Sequence, residues 1–294
     1  MGICFGKDAD VARLLPSLLL ASLAGCTDLP APSGKLAPSP AASVSAAFDS
    51  SSAGRVAGRV TWEGAIPAAE NFTFAATQSP GIVDYRHLPN PHDPRIDLKT
   101  RGLANAIVFL RGIPAEAAKP WDHPEASVEL QNLSIGIRQG PGELHRVGFV
   151  KRGSTLTMQS KEPAFHNLRA RGSVFFSLAF AEPDRPLTRT LHENGLVRFT
   201  SGAGYYWASA YLFVDDQPYY TRTDAEGRFT LTGVPSGPVE VVAWHPNRSY
   251  TNQVRDPETS AISRITFKEP YQARAKVDVQ RQTTTTVDLS VRGE

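Results

Sequence analysis

The chain of 294 residues carries 31 Lys and Arg against 29 Asp and Glu, which gives a formal net charge of +2 at pH 7. The two signs are interspersed and no basic face or arm is visible, so the composition argues against a nucleic-acid partner. The 23 Gly and 23 Pro, the short alternating runs of Val, Thr, Tyr and Phe, and the lack of a sustained helical period predict an all-β protein.

The chain begins with a segment typical of a secretory signal. An apolar run of about a dozen residues starts at Leu14 and ends in small residues before Cys26. It is too short for a transmembrane helix, which needs roughly 20 apolar residues. A buried helix that opens a cytosolic domain is the alternative. The tetrad Leu23-Ala24-Gly25-Cys26 resembles a bacterial lipobox, which implies a lipoprotein signal peptide over residues 1–26 and a lipid on Cys26.

Lipidation would decide where the protein lies and what its cysteines can do. Cys4 and Cys26 are the two cysteines, so an acylated mature chain that starts at Cys26 has no free thiol for a metal, a nucleophile or a disulfide. Residues 27–53 are rich in Pro, Ala and Ser and predict a flexible linker. We therefore expect the protein at the cell envelope, held to the membrane by its lipid. Thr27 after the cysteine favours the outer membrane.

Short predicted strands follow the linker in close succession. The alternating segment 56–62 and the apolar segment 105–111 predict strands, whereas residues 67–102 are rich in Pro, Asp and Asn and predict a long loop. Turn-separated runs predict further strands at 127–131, 134–138, 145–150, 154–159, 173–180, 187–191, 196–200, 205–214, 219–223, 228–232, 239–244 and within 262–291. Spacings of about 8–12 residues are typical of β-sandwiches.

The sharpest local pattern predicts a β-meander over 223–241. Asp224 and Gly227 suit a tight turn, and Phe229 and Leu231 then share one face of a strand. Together with the segments 56–60 and 103–110, this motif resembles the carboxypeptidase regulatory-like domain, a transthyretin-like or carbohydrate-binding-like β-sandwich. The resemblance implies one sandwich built from residues 54–115 and 208–294.

The intervening residues 116–207 resemble a second family. The segments 150–156, 162–168, 188–191, 195–199 and 207–211 are similar to cupredoxin-like envelope proteins, in which a copper-type domain is joined to that first sandwich. The resemblance implies a second, cupredoxin-like antiparallel sandwich.

The same resemblance implies where the ligands of a copper ion would lie. It makes His166 the first copper ligand and places a cysteine, a histidine and a methionine where this chain has Gly202, Tyr205 and Ala208. Blue copper needs the thiolate and two imidazoles, so no copper and no other cofactor is expected.

The remaining histidines leave alternatives open. His166 either hydrogen-bonds a backbone carbonyl, which is the favoured interpretation, or joins His145 or His192 in a metal site of another kind. His87 and His92 lie in a polar segment with several prolines, where solvation is the expected state and metal binding the alternative.

Aromatic residues 205–207 provide the candidates for ligand binding. Aromatic rings on a β-surface can hold sugar rings, although alternate aromatics in a strand more often fill a sandwich core. Tyr205 and Trp207 are the binding candidates, and Tyr206 is expected on the opposite face.

The sequence contains none of the common catalytic motifs, so we expect no enzyme. The leading hypothesis is a non-catalytic binding or scaffold module of the cell envelope, with a glycan or an envelope protein as its partner. A metal or redox protein with a degenerate copper site around His166 is the alternative. A polysaccharide-processing enzyme is a third, which would need carboxylates that converge in a cleft.

Overall fold

The computed structural model describes residues 47–79, 82–258 and 262–293, so the predicted signal peptide with Cys26, and the linker before residue 47, lie outside the described residues. Within these ranges the chain is almost entirely strand, and its only helix is a short 3-10 turn at Ala115–Ala117. The expected all-β class is confirmed. None of the described helical segments has the length and apolar character to cross a membrane.

The strands of the described residues are numbered in chain order. They are β1 Gly54–Glu63, β2 Asn71–Ser79, β3 Ile82–Pro89, β4 Arg95–Ile96, β5 Leu103–Ala104, β6 Ile107–Arg111, β7 Ala126–Gln131, β8 Ser134–Gln139, β9 Val147–Lys151, β10 Thr155–Ser160, β11 His166–Gly172, β12 Phe176–Phe180, β13 Leu187–Thr190, β14 Gly195–Ser201, β15 Ser209–Asp215, β16 Tyr220–Arg222, β17 Arg228–Val234, β18 Gly237–His245, β19 Tyr250–Arg255, β20 Ile262–Phe267, β21 Tyr271–Val279, β22 Thr284–Thr286 and β23 Leu289–Arg292.

The first sandwich consists of two sheets. Sheet 1 has the order β17-β1-β22, with β23 also paired to β1, and sheet 2 has the order β16-β6-β18-β21. Their facing sides bury Val56, Val60 and Leu231 of sheet 1 against Val108 and Val241 of sheet 2. Most pairs are antiparallel, while β22 and β23 run parallel to β1.

The second sandwich consists of sheet 3, with the order β13-β10-β7-β8, and sheet 4, with the order β12-β11-β14-β15-β9. Val128, Ile137 and Met158 of sheet 3 are buried against Leu168 and Leu212 of sheet 4. Strand β15 was expected in the first sandwich, after a boundary at residue 207. It pairs instead with β14 and β9 in sheet 4, because its even-numbered side chains complete the apolar core of that sandwich.

The two sandwiches pack directly on each other through sheets 2 and 4. Successive residues of a strand point to opposite faces, so β6 sends Val108 into the first core and Phe109 into the contact between the sandwiches. In the same way, Leu212 of β15 points into the core of the second sandwich, whereas Phe213 points into the contact between the sandwiches. Burial on both faces explains why these strands are continuous apolar runs in the sequence.

The predicted long loop over 67–102 is wrong. Strands β2 and β3 form an antiparallel hairpin, and β4 pairs with β5. Phe72 and Phe74 lie two residues apart on one face of β2, where Phe74 packs 4.3 Å from Trp207, measured between ring centroids. Tyr206 donates a hydrogen bond to the carbonyl oxygen of Thr73 at 3.0 Å. The hairpin is therefore stabilised by contacts with residues more than 100 positions away, which the polar local sequence does not show.

Candidate functional site

A cleft of about 750 Å³ opens at one end of the contact between the two sandwiches. Its walls come from both sandwiches and from the segment that follows the β2–β3 hairpin. The lining includes polar and charged residues that lie far apart in the chain, among them Asp93, Arg95, Asn105, Asn132, Glu143, His145, Arg146, Arg222 and His245. Cavities of this size at the junction of two domains are common ligand sites.

Strand ends position the charged residues of the cleft. Arg146 immediately precedes β9, and its carbonyl oxygen accepts a hydrogen bond from the backbone N–H of Tyr211 at 2.8 Å. Arg222 is the last residue of β16 and is paired in register with Ile107 of β6. His245 is the last residue of β18. Because β9 belongs to sheet 4 while β16 and β18 belong to sheet 2, packing of the two sheets brings these residues to one opening.

Arg222 is largely buried and is held by neutral groups. Its Nη2 donates to the carbonyl oxygen of Val147 and, at 3.3 Å, to Oε1 of Gln139. Its Cζ lies 4.9 Å from the centroid of the Phe149 ring, a cation–π contact. Its Nε is buried and has no hydrogen-bond partner among the described residues. Burial lowers the pKa of Arg222 to about 10, because a charged group loses hydration there.

Arg146 has a similar environment. Its Nη1 donates to Oγ of Ser134 at 2.7 Å and to the carbonyl oxygen of Ile135. Burial lowers the pKa of Arg146, and the nearby charge of Arg95 lowers it further. Among the described residues, no carboxylate forms an ion pair with Arg146 or Arg222.

The carboxylates at the cleft do not neutralise these arginines. Asp93 is ion-paired with Arg248, at 2.6 Å between Oδ1 and Nε, and its Oδ2 accepts the backbone N–H of Glu70. Glu143 lies exposed at the rim. The cleft therefore has a positive electrostatic character.

The histidines near the cleft are held neutral. Burial is the main cause that lowers the pKa of His145, and the charge of Arg222 adds to it. His245 is buried, with Nδ1 2.8 Å from the carbonyl oxygen of Pro246, and burial lowers its pKa to about 4.

His92 was expected to be solvated, and this expectation is wrong. Its side chain is 0 % exposed. Nδ1 lies 3.0 Å from the carbonyl oxygen of Asn247, Nε2 has no partner, and the Phe267 ring packs 4.0 Å from the imidazole ring. Burial lowers the pKa of His92 to about 3. The cause is the β19–β20 hairpin, which covers this segment with Phe267. His87 is exposed, and its Nδ1 lies 2.9 Å from Oγ1 of Thr73.

The two aromatic candidates lie in different surroundings. Trp207 lines the cleft, but it is only 4 % exposed and its indole N–H donates to the carbonyl oxygen of Leu133 at 2.9 Å. Tyr205 is not part of the cleft wall. Its hydroxyl donates to the carbonyl oxygen of Phe165, and its ring lies 5.3 Å from that of His166. The two rings also pack against each other, with their centroids 5.8 Å apart.

His166 is 3 % exposed, and its Nε2 lies 2.7 Å from Oε1 of Glu162. Its partner is thus a carboxylate and not the backbone carbonyl that was expected. The same carboxylate accepts the backbone N–H groups of Asn132 and Leu133, at 2.9 and 2.8 Å. Glu162 therefore ties the β7–β8 turn to β11.

The residues around His166 do not fit copper. In the part of the chain that the structure describes, no three His, Cys, Asp or Glu side chains form a metal-binding group. His145 lines the cleft and His192 is exposed, so neither forms such a group with His166. A Cβ at Gly202 would overlap Oδ1 of Asn167 and Nε of Arg169, so a cysteine there would require both side chains to move.

The fold thus defines an all-β protein of two packed sandwiches with a cleft between them. No protein-family model matches the sequence, and no curated protein is similar to it. Solved structures that match part of the chain include a purple cupredoxin from Nitrosopumilus maritimus, 13% identical over 31% of this chain and 99% of its own, with a TM-score of 0.24.

Two further matching structures are of copper-containing proteins. A mutant of amicyanin in its Cu(I) form is 16% identical over 36% of this chain and 97% of its own, with a TM-score of 0.24. A Cu-containing nitrite reductase from Thermus scotoductus is 14% identical with a TM-score of 0.25, over 35% of this chain and 24% of the reductase. Each of these matches spans about a third of this chain.

The arginines of the cleft are the site residues that sequence reasoning missed. Arg146 and Arg222 are 76 positions apart and belong to no motif. The one available signal is local: each lies next to the terminal residue of a predicted strand, 145–150 or 219–223, where a long cation can be covered by neighbouring sheets.

Proposed function

We propose that this protein is a non-catalytic binding module of the cell envelope, anchored by a lipid on Cys26, and that the cleft between its sandwiches binds a glycan. The observation that carries the proposal is the cleft itself, because its volume of about 750 Å³ lies in the range of small-ligand sites. The lipid anchor and the envelope location rest on the lipobox-like tetrad that ends at Cys26.

The polar lining of the cleft suits a saccharide. Asn105, Asn132 and Ser134 bring amide and hydroxyl groups to the wall, which can exchange hydrogen bonds with sugar hydroxyls. Leu88 and Leu144, both partly exposed, supply apolar area for the faces of sugar rings. The mixture of the two surfaces favours a glycan over a wholly apolar ligand.

The ionisable side chains support binding without catalysis. Asp93 is ion-paired with Arg248, and His245 is buried and hydrogen-bonded to its own loop. A general acid and base need two groups with suitable pKa values within reach of one reacting bond. Glu143 lies at the exposed rim, so the cleft does not place two free carboxylates across from each other.

The test is a thermal-shift screen of the full chain in detergent against a panel of mono- and disaccharides. Ala69 is exposed and lines the cleft, so Ala69→Trp should obstruct part of it and reduce the rise in melting temperature that a bound sugar produces. Ala181→Trp is the matched control, because Ala181 is exposed outside the cleft. A sugar that stabilises all three proteins equally would show that it binds elsewhere and would refute the proposal.

A further inference from the structure

The cleft carries positive charge that the binding of a neutral sugar does not require. Arg146 and Arg222 are both largely covered by protein, and their hydrogen-bond acceptors in the described structure are carbonyl, amide and hydroxyl oxygens. Such acceptors orient a guanidinium without neutralising it. Buried charges in folded proteins are normally paired, because removing an ion from water costs several kcal/mol or more.

Both arginines line the cleft, and their guanidinium groups are held by different partners: that of Arg146 by Ser134 and Ile135, and that of Arg222 by Val147 and Gln139. Arg222 donates from Nη2 to the carbonyl oxygen of Val147, the residue that directly follows Arg146. Arg95 lies on the same wall, exposed, and its charge acts on Arg146. Three cations from three separate strands or strand ends therefore face one opening.

Some N–H groups of the two guanidinium groups remain available to a ligand. Within the described structure, Nη1 of Arg222 and Nη2 of Arg146 have no protein acceptor. A guanidinium presents its N–H groups in a planar fork that matches two oxygens of a carboxylate or phosphate. Nε of Arg222 is closed off from solvent and unpartnered, so its partial charge adds to the potential of the site without contacting a ligand.

The other ionisable groups of the cleft do not supply the missing negative charge. Asp93 is committed to Arg248, and burial keeps His245 neutral. His145 cannot supply negative charge, because an imidazole is either neutral or positive, and burial together with the charge of Arg222 lowers its pKa and so favours the neutral form. Glu143 is the one unpaired carboxylate of the lining and is exposed at the rim.

We infer that the cleft binds its ligand through an anionic group, a carboxylate or a phosphate, which is held between Arg146 and Arg222 with Arg95 at the entrance. The inference rests on the proposed glycan-binding function and narrows it to acidic glycans, either uronic acids or sugar phosphates. The two sources share the same chemistry, namely two or three oxygens that accept hydrogen bonds from the guanidinium forks.

The experiment compares matched ligands by calorimetry on the full chain in detergent. Galacturonate is paired with galactose, and glucose 6-phosphate with glucose. We expect at least one acid to bind about tenfold or more tightly than its neutral partner, with an affinity that falls as salt is raised. The acid that binds identifies the source of the anionic group. Equal affinities within both pairs would refute the inference and leave the proposed function intact. If no saccharide binds, neutral or acidic, both fail.

Variants separate a binding role of the arginines from a structural one. Arg222→Met removes the charge and keeps an apolar chain over Phe149, so it should lower affinity for the acid about tenfold or more and leave the melting temperature unchanged or higher. Arg95→Gln tests the inference independently if Arg222→Met does not fold. Because Arg95 is exposed, this variant should weaken acid binding without an effect on folding. Arg189→Gln, on exposed β13, is the control. Acid binding that survives both Arg222→Met and Arg95→Gln would overturn the inference.

Discussion

The guanidinium of Arg222 stacks over the ring of Phe149, with Cζ 4.9 Å from the ring centroid. Arg222 belongs to sheet 2 of the first sandwich and Phe149 to sheet 4 of the second. One contact thus joins the two sandwiches and also places a cation at the cleft. The same ring stacks against Tyr220, 5.5 Å away between centroids, so the contact is part of the apolar layer between the sheets.

We expect Phe149→Ala to lower the free energy of unfolding by about 3–5 kcal/mol, because a large ring would leave a cavity between two packed sheets. Urea denaturation measures the change. Phe175→Ala is the control, since Phe175 is 80% exposed and its truncation should change stability by no more than about 0.5 kcal/mol. If the free energy of unfolding fell equally in the two variants, the contact between the sandwiches would contribute little to stability.

Acid is expected to destabilise the fold through its buried histidines. The folded-state pKa values of His92 and His245 are lowered to about 3 and about 4, chiefly by burial. Between these values and about 6.5, the unfolded chain binds protons that the folded chain does not, so stability falls as the pH falls. Each histidine should cost roughly 1–2 kcal/mol between pH 6.5 and 5.

The measurement is the urea midpoint at pH 7.5, 6.5 and 5. The double variant with His92→Gln and His245→Gln should show a shallower dependence on pH, whereas His192→Gln, at an exposed position, should retain the slope of the parent chain. An unchanged slope in the double variant would contradict the assignment of these two histidines.

Glu162→Ala should destabilise the protein by roughly 2 kcal/mol, because it removes the acceptor of the buried His166 and of two backbone N–H groups. Thermal unfolding followed by circular dichroism measures the effect. Glu182→Ala is a suitable control, since Glu182 forms an exposed ion pair with Arg185, and such pairs contribute little. If both variants unfold at the same temperature, Glu162 does not hold the β7–β8 turn as described.

We expect copper(II) to give no stoichiometric binding that depends on His166, since its Nε2 is engaged by the carboxylate of Glu162. Electron paramagnetic resonance of the full chain with one equivalent of copper, beside His166→Ala, checks this. A tight copper signal that disappears in the variant would overturn the expectation and revive a degenerate copper site.

Cys26→Ser should release the protein from membranes. If Cys26 carries the lipid, the parent chain partitions into the detergent phase and the variant into the aqueous phase. Cys4→Ser is the matched control and should partition as the parent chain does, because Cys4 lies in the predicted signal peptide and is absent from the mature chain. Equal partitioning of the parent chain and Cys26→Ser would contradict the lipid anchor.

Local patterns predicted the parts of the fold that local chemistry controls. The turn at 224–227 forms as expected, with Oδ1 of Asp224 accepting the N–H groups of Glu226 and Arg228 and with Gly227 at a φ of +79°. Most of the strands were also predicted, because the alternation of apolar and polar side chains that indicates a strand can be seen in consecutive residues of the sequence. The hairpin of β2 and β3 was missed because Trp207 and Tyr206, which support it, lie in another part of the chain.

The sequence by itself determined an all-β protein and the turns between its strands. Only the tertiary structure decided that sheets 2 and 4 pack face to face, that His92 is buried, and that Arg146 and Arg222 meet at one cleft. The physical reason is that alternation specifies which residues of a strand share a face, whereas the partner of each face depends on contacts between distant segments.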